Sequence, residues 1–192
     1  MKRPLLFGAV LLVAAGVVVA PAFAQETKVE LSAGIEYPLL GQGFEIDQGL
    51  GWRFSAGWRI TPKFTLSAQY AQVASTSDIP NEPIGDVTWT TYGLNGTLVL
   101  NGEQDFQLLG FVGAGLGDLS FDNPLGDPPA GQSNDSGIYW YEAGVGAQFN
   151  LSKRWALRLL AAARQTGVSD PTPILPNSSF CFVPKAEVGF RF

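Results

Sequence analysis

Apolar and polar residues alternate with a period of two along most of the chain after residue 28. This alternation predicts β-strands, because successive side chains of a strand point to opposite faces. The clearest case is segment 50–60, LGWRFSAGWRI, in which large apolar residues occupy one face and glycine, serine or arginine the other. The pattern recurs about eight times, and it therefore predicts an all-β fold with eight antiparallel strands.

Short and long connections alternate between the predicted strands. Short turns are predicted at 61–63, 101–105 and 151–154. Longer connections, rich in Gly, Pro, Asn and Asp, are predicted at roughly 40–49, 74–86, 117–137 and 168–179. Short turns at one end and long loops at the other are typical of an eight-stranded up-and-down transmembrane β-barrel, whose two termini lie at the short-turn end.

Aromatic residues at the ends of the predicted strands indicate which face meets lipid. The belt at the short-turn end contains Trp58, Phe64, Phe106, Phe149, Trp155, Phe190 and Phe192. The belt toward the long loops contains Tyr37, Tyr70, Tyr139, Tyr141, Phe180 and Phe182. Two aromatic belts flanking Leu, Val and Ala match the two interfaces of a bilayer, so we expect the apolar face to meet lipid and the polar face to line the lumen.

A soluble secreted barrel of the lipocalin type would place the same two faces the other way round. Its outer surface would then consist mainly of Gly, Ser, Ala and Thr with few charges, which is a poor coat for a soluble protein. This interpretation stays as an alternative.

Composition and the first residues indicate an exported membrane protein. Only 15% of the residues are charged, against about 25% in typical soluble domains. Lys2 and Arg3 precede the apolar run 5–20, and Ala22-Phe23-Ala24 has the form of a cleavage site. We expect residues 1–24 to be a cleaved signal peptide and residues 25–192 to form the barrel domain.

Charged residues on the predicted lumen face include both signs. An eight-stranded barrel has an interior just wide enough for side chains to fill, so we expect these residues to form a structural ionic network. They are Glu30, Glu36, Arg53, Arg59, Glu142, Arg158, Arg164, Lys185, Glu187 and Arg191. Glycines on the same face leave space beside the arginines, so a narrow conducting path stays open as an alternative.

The residue types present argue against an enzyme. The chain contains no histidine and a single cysteine, Cys181, which removes the commonest general base and metal ligand. We predict no catalytic, cofactor or metal site. Without the first 24 residues the net charge is −7, from ten Lys and Arg and 17 Asp and Glu, which disfavours nucleic acid as a partner.

The four predicted long connections carry ten Asp and Glu and no Lys or Arg. Solvated loops explain this charge, and none of the carboxylates has the spacing of a calcium loop. Binding of divalent cations from a lipopolysaccharide layer is the alternative.

The leader, the eight alternating strands, the glycine run GFVGAGLG (110–117) and the terminal VGFRF (188–192) resemble a known family. This is the family of small eight-stranded outer-membrane β-barrel proteins of Gram-negative bacteria, the OmpA/OmpX-like and opacity-protein-like barrels. The resemblance implies an integral protein of the cell outer membrane, in contact with its lipid and lipopolysaccharide. It also implies that Val188, Phe190 and Phe192 form a signal read by the barrel-assembly machinery. Enzymatic members use an active-site histidine, which this chain lacks.

The function predicted from these features is that of a non-enzymatic outer-membrane barrel. It would support the envelope and present its loops to an extracellular partner. A narrow porin-like or OmpW-like channel for small solutes is the second interpretation, and the soluble lipocalin-like binder is the third.

Overall fold

The chain folds mainly into strands in the part that the computed structural model describes. This part comprises residues 29–40, 49–79, 82–101, 105–121, 135–169 and 178–192. A helix that could span a bilayer is absent from these ranges. The predicted signal peptide, residues 1–24, lies outside the described residues.

Nine strands are present in these ranges, eight of them long and one of two residues. They are β1 (Val29–Glu36), β2 (Leu39–Leu40), β3 (Leu50–Thr61), β4 (Phe64–Ile79), β5 (Glu82–Val99), β6 (Phe106–Phe121), β7 (Asp135–Asn150), β8 (Trp155–Val168) and β9 (Ser178–Arg191).

The sheet closes on itself. Each long strand pairs antiparallel with the next one along the chain, and β1 also pairs antiparallel with β9. The short strand β2 continues β1 beyond Pro38 and pairs with β9 in the same register, with Leu39 facing Phe182. Because a proline has no N–H to donate, it interrupts the ladder between the two pieces. The wall therefore has eight strands, and the predicted eight-stranded antiparallel barrel is confirmed.

The two faces of the wall have opposite character, as the alternation predicts. Outward apolar side chains are exposed, for example Val112 at 64% and Phe180 at 62%. Inward charged side chains are buried, for example Glu36 at 1% and Arg53 at 3%. Such an arrangement suits a barrel whose outer surface contacts hydrocarbon and whose polar groups satisfy one another inside.

Some predicted connections are wrong, because the strands extend further than the loop-forming residues suggested. Most of the predicted long connection 74–86 belongs to β4 and β5, whose backbones pair from Ser75 and Val87 to Ile79 and Glu82. Residues 117–121 and 135–137 likewise belong to β6 and β7. Gly, Pro and Asp signal turns by their local preferences, but backbone pairing with a neighbouring strand has overridden those preferences here.

Candidate functional site

The lumen contains a connected series of charged side chains, which we call the ionic chain. Nine of the ten predicted lumen residues belong to it, and cations alternate with carboxylates along its whole length. In order of contact they are Arg191, Glu30, Arg158, Glu187, Arg53, Glu36, Arg164, Glu142 and Lys185. The tenth residue, Arg59, lies half-buried on the inner side of β3 and also interacts with a neighbouring group.

The end of the ionic chain nearer the long loops is the most tightly held. Arg164 Nη1 lies 3.0 Å from Glu36 Oε1, and its Nη2 lies 2.9 Å from Glu142 Oε2. Lys185 Nζ is 2.6 Å from the other oxygen of Glu142. Arg164 also lies over the ring of Trp140, with its Cζ 5.4 Å from the ring centroid. These buried charges are therefore each matched by at least one opposite charge, as burial requires.

The end of the ionic chain nearer the short turns is looser. Glu30 contacts both Arg191, at 2.9 Å from Nε, and Arg158. The next contact, between Arg158 Nη1 and Glu187 Oε2, is 3.9 Å long. Beyond it, Arg53 Nε lies 2.9 Å from Glu187 Oε1. The contact between Arg158 and Glu187 is thus the longest in the ionic chain.

Neutral amides occupy hydrogen-bonding positions that the carboxylates leave open. Arg53 donates to Gln69 Oε1 at 2.5 Å, and Arg158 donates to Gln148 Oε1 at 2.7 Å. Arg191 donates to Asn150 Oδ1 at 3.0 Å. The polar groups of this ionic core are therefore satisfied largely by one another.

The ionic chain lies on one side of the barrel. Its members come from β1, β3, β7, β8 and β9, the strands on both sides of the pairing between β1 and β9. The described inward residues of β4, β5 and β6 carry no charge. The lumen therefore has a charged wall and an uncharged wall.

Glycines on the uncharged wall make room for Trp140, which is completely buried. A Cβ atom added to Gly93 or Gly115 would lie 2.6 or 2.7 Å from Trp140 Cζ2, closer than carbon atoms can approach, and one on Gly113 would lie 3.2 Å from Cζ3. The indole N–H donates to the Leu116 carbonyl oxygen at 3.3 Å. The space beside these three glycines is filled by this side chain, so they offer no room for a conducting path.

An apolar layer lies between the ionic chain and the long loops. Its members are on the inner face near the long-loop ends of their strands, where a polar lumen was expected. They are Val73, Val87, Trp89, Leu119, Ile138 and Val168, each at most 5% exposed. Sequence reasoning missed Trp89 and Trp140 as lumen residues. The alternation by itself predicts that Trp140 points into the lumen, because it lies two residues before Glu142 in the same strand.

A small polar cavity remains in the middle of the lumen. Its volume is about 20 Å³, and a cavity of more than about 10–15 Å³ can hold one water molecule. Arg53, Arg158 and Glu187 line one side, and Asn95 and Thr97 line the other. Asn95 Oδ1 is buried without a hydrogen-bond partner, so this side chain can accept a hydrogen bond from a water in the cavity.

The described residues include no group of three or more His, Cys, Asp or Glu side chains arranged to hold a metal ion. Cys181 is a free thiol, 2% exposed, packed with Phe111, Ala162 and Val183. The buried thiol therefore acts as a small apolar side chain in this packing.

Comparison with protein families gives the chain its place. The family model described as "Outer membrane protein beta-barrel domain" matches residues 10–170. The chain belongs to this outer membrane protein β-barrel family. No curated protein matches the chain.

Several solved structures share the fold of this chain, although their sequences are only distantly similar to it. Neisserial surface protein A matches with a TM-score of 0.59 and 16% identity, over 89% of this chain and 100% of the other. Ail of Yersinia pestis, in complex with the heparin analogue sucrose octasulfate, matches with a TM-score of 0.56 and 18% identity, over 88% and 100%. OprG of Pseudomonas aeruginosa matches with a TM-score of 0.56 and 12% identity, over 88% and 97%. At these identities the likeness is one of fold.

Family and architecture together place the protein in the outer membrane as an integral β-barrel. The lipocalin-like interpretation is wrong, because the exposed surface of the wall is apolar and the buried surface carries the charges.

Proposed function

We propose that this outer-membrane barrel conducts no ions, catalyses no reaction, and serves to support the envelope and to present its extracellular connections. The observation that carries this proposal is the filled lumen, in which the apolar layer lies above the ionic chain. Hydrophobic constrictions exclude water and ions from a pore. The channel interpretation loses its main support, because Trp140 occupies the space beside Gly93, Gly113 and Gly115.

Current recordings on the folded protein in planar lipid bilayers test this function. We expect no steady conductance from the wild-type barrel. The double variant Trp89→Ala with Leu119→Ala serves as the positive control, because it removes two side chains of the apolar layer and should raise the current. Steady wild-type conductance of the same size as that of the double variant would contradict the proposal.

The charge of the long connections suits a partner different from a sulfated polysaccharide. Ail of Yersinia pestis forms a complex with sucrose octasulfate, a polyanionic analogue of heparin. The long connections and the strand ends beside them, over 40–49, 74–86, 117–137 and 168–179, carry ten Asp and Glu and no Lys or Arg, so they would repel such a polyanion. We infer that their partner is lipopolysaccharide contacted through bridging divalent cations, or a cationic extracellular surface.

Phe192 is proposed to act during assembly as part of a signal with Val188 and Phe190. In the folded barrel its ring packs on Phe190, with centroids 4.9 Å apart, and its N–H donates to the Val29 carbonyl oxygen at 3.0 Å. The side chain is 53% exposed, so its burial contributes at most about 1–2 kcal/mol. If Phe192 is part of an assembly signal, its loss should reduce assembly in cells far more than its small contribution to the stability of the folded barrel would suggest.

Deletion of Phe192 is expected to reduce the folded protein in the outer membrane several-fold. Refolding of the purified chain into detergent should stay close to wild type, because the deletion removes only a half-exposed ring contact and one terminal backbone hydrogen bond. The measurement is the fraction of protein whose gel mobility shifts on boiling. The control is Phe180→Ala, which removes a ring that is 62% exposed, against 53% for Phe192, at the long-loop end of β9. Equal amounts of folded protein in cells from both variants and wild type would refute the signal.

A further inference from the structure

The pairing between β1 and β9 closes the barrel, and it differs from every other pairing among the long strands. The other long neighbours follow one another along the chain, whereas β1 and β9 are the first and the last of the described strands. Connections between consecutive strands help to fix their register. No connection fixes the register of β1 against β9, so side chains must specify it.

Side-chain alternation restricts the registers that can compete. A shift by one residue would turn the inward face of β1 outward and expose Glu30 and Glu36 to lipid. A shift by two residues keeps each face in place and moves the strands by about 7 Å relative to each other. The competing registers are therefore the two that differ from the observed one by two residues.

In the observed register, both carboxylates of β1 face cations of β9. Glu30 faces Arg191, and Glu36 faces Lys185. The third charged residue of β9, Glu187, faces Gly34. A larger residue would not fit at position 34, because a Cβ atom there would lie 2.8 Å from Glu187 Cα.

Either shifted register loses this complementarity. In one direction, Glu36 would face Glu187, and Arg191 would face Ser32. In the other direction, Glu36 would face Val183, and Glu30 would face Gly189. Like charges directly opposite each other destabilise a strand pair, and a buried carboxylate without a cation is costly.

Contacts from the neighbouring strands favour the same register. Arg53 of β3 reaches across the closing pair to Glu187 of β9, with Nε 2.9 Å from Oε1. From the other side, Arg164 and Arg158 of β8 reach Glu36 and Glu30 of β1. A displacement of about 7 Å would break these contacts.

We propose that those ion pairs of the ionic chain that cross the closing pair act as a register code for barrel closure. The charges of β1 and β9 pair with one another in a single register. The ion pairs that Arg53, Arg158 and Arg164 form with the same strands stabilise this register over the others in which the first and the last strand could join. This role explains why the ionic chain lies on the strands around the closing pair, while the described inward residues of β4, β5 and β6 carry no charge.

Cross-strand nuclear Overhauser contacts of Ser32 in detergent micelles test the code. Wild-type protein should show contacts of Ser32 with Gly189, its observed partner. The variant Glu30→Gln with Glu36→Gln removes the charges of β1 with little change in size. It should lose this single set of contacts and gain contacts of Ser32 with Glu187 or with Arg191, the partners in the two shifted registers.

The matched control is Glu142→Gln, which removes an equally buried carboxylate of β7 that makes no contact across the closing pair. This variant should keep the Ser32–Gly189 contact alone, even though it loses stability. A double Gln variant that folds with only the Ser32–Gly189 contact would overturn the proposal. So would shifted contacts of equal strength in Glu142→Gln.

A second measurement uses the wild-type chain, so it does not depend on folding of a variant. The protein is refolded into micelles at about 0.1 M and at about 1 M salt, where the screening length falls from roughly 10 Å to 3 Å. We expect contacts of a shifted register to appear after refolding at high salt, because the charges of β1 and β9 are still in contact with solvent when the two strands join, and only the closed barrel protects them from screening. The proposal would also be rejected by two results together. These are wild-type protein without shifted contacts at either salt concentration, and a double Gln variant that is unfolded or keeps the observed register.

Discussion

Replacement of Trp140 by alanine is expected to lower the free energy of unfolding by about 3–5 kcal/mol, the usual cost of removing a buried tryptophan. The site cannot close around the lost ring, because the facing residues Gly93, Gly113 and Gly115 have no side chains to move into the space. The hydrogen bond to the Leu116 carbonyl oxygen is lost as well. Urea unfolding in lipid vesicles, followed by tryptophan fluorescence and by gel mobility, measures the change.

The cavity left by this substitution should bind indole. Engineered cavities in protein cores can accept small aromatic molecules, and here the Arg164 guanidinium, which lies over the Trp140 ring, would lie over the bound indole. A ligand that binds the folded state alone raises its stability, so indole should restore part of the loss in Trp140→Ala and leave wild type unchanged. Trp52→Ala is the control, because Trp52 is 41% exposed on the outer face and leaves no closed cavity. Equal losses for the two variants, or equal stabilisation of wild type by indole, would argue against this packing.

The sequence predicts the barrel and the direction of its faces, since both depend on a local period. Each of the eight predicted strands has its apolar residues on one phase. Contact of these residues with lipid stabilises the arrangement in each strand separately. The charged residues of the lumen follow from the same phase. Arg53 and Glu36, for example, both lie inward because of their phase in β3 and β1.

Which charges meet could not be predicted, because the partners depend on closure and tilt of the sheet. Arg164 and Glu36 are 128 residues apart in the chain and come from strands that are not neighbours. Their contact exists only when β1 has joined β9 in the observed register. The alternation of cations and carboxylates along the ionic chain is therefore a property of the closed barrel.

The apolar part of the lumen was missed for a different reason. Trp89 and Trp140 belong to a phase that was interpreted as polar, and the glycines facing Trp140 were interpreted as empty space. A glycine run opposite a tryptophan of inward phase indicates a packed ring as readily as a channel. Pairing of β6 with β7, which places Gly115 opposite Trp140, decides between them.

Replacement of Arg164 by methionine is expected to destabilise the barrel by about 3–5 kcal/mol, the cost of breaking a buried ion pair from one side. The side chain of Arg164 is 2% exposed, and it holds Glu36 and Glu142 at 3.0 and 2.9 Å. Methionine fills much of the volume of the arginine side chain. The loss of stability should therefore come mainly from the two carboxylates that are left without a cation, and less from a cavity. The measurement is the urea midpoint of unfolding in lipid vesicles.

Arg158→Met is the matched control for this substitution. Arg158 is 15% exposed, and one of its two carboxylate contacts is 3.9 Å long. Water can reach the carboxylates that this variant leaves, so we expect a smaller loss than for Arg164→Met. Adding Glu36→Gln and Glu142→Gln to Arg164→Met should recover part of the stability, because neutral amides are cheaper to bury than unpaired carboxylates. Equal losses for the two arginine variants, with no recovery from the added glutamines, would mean that Arg164 acts through packing, and that charge pairing contributes little at this end of the ionic chain.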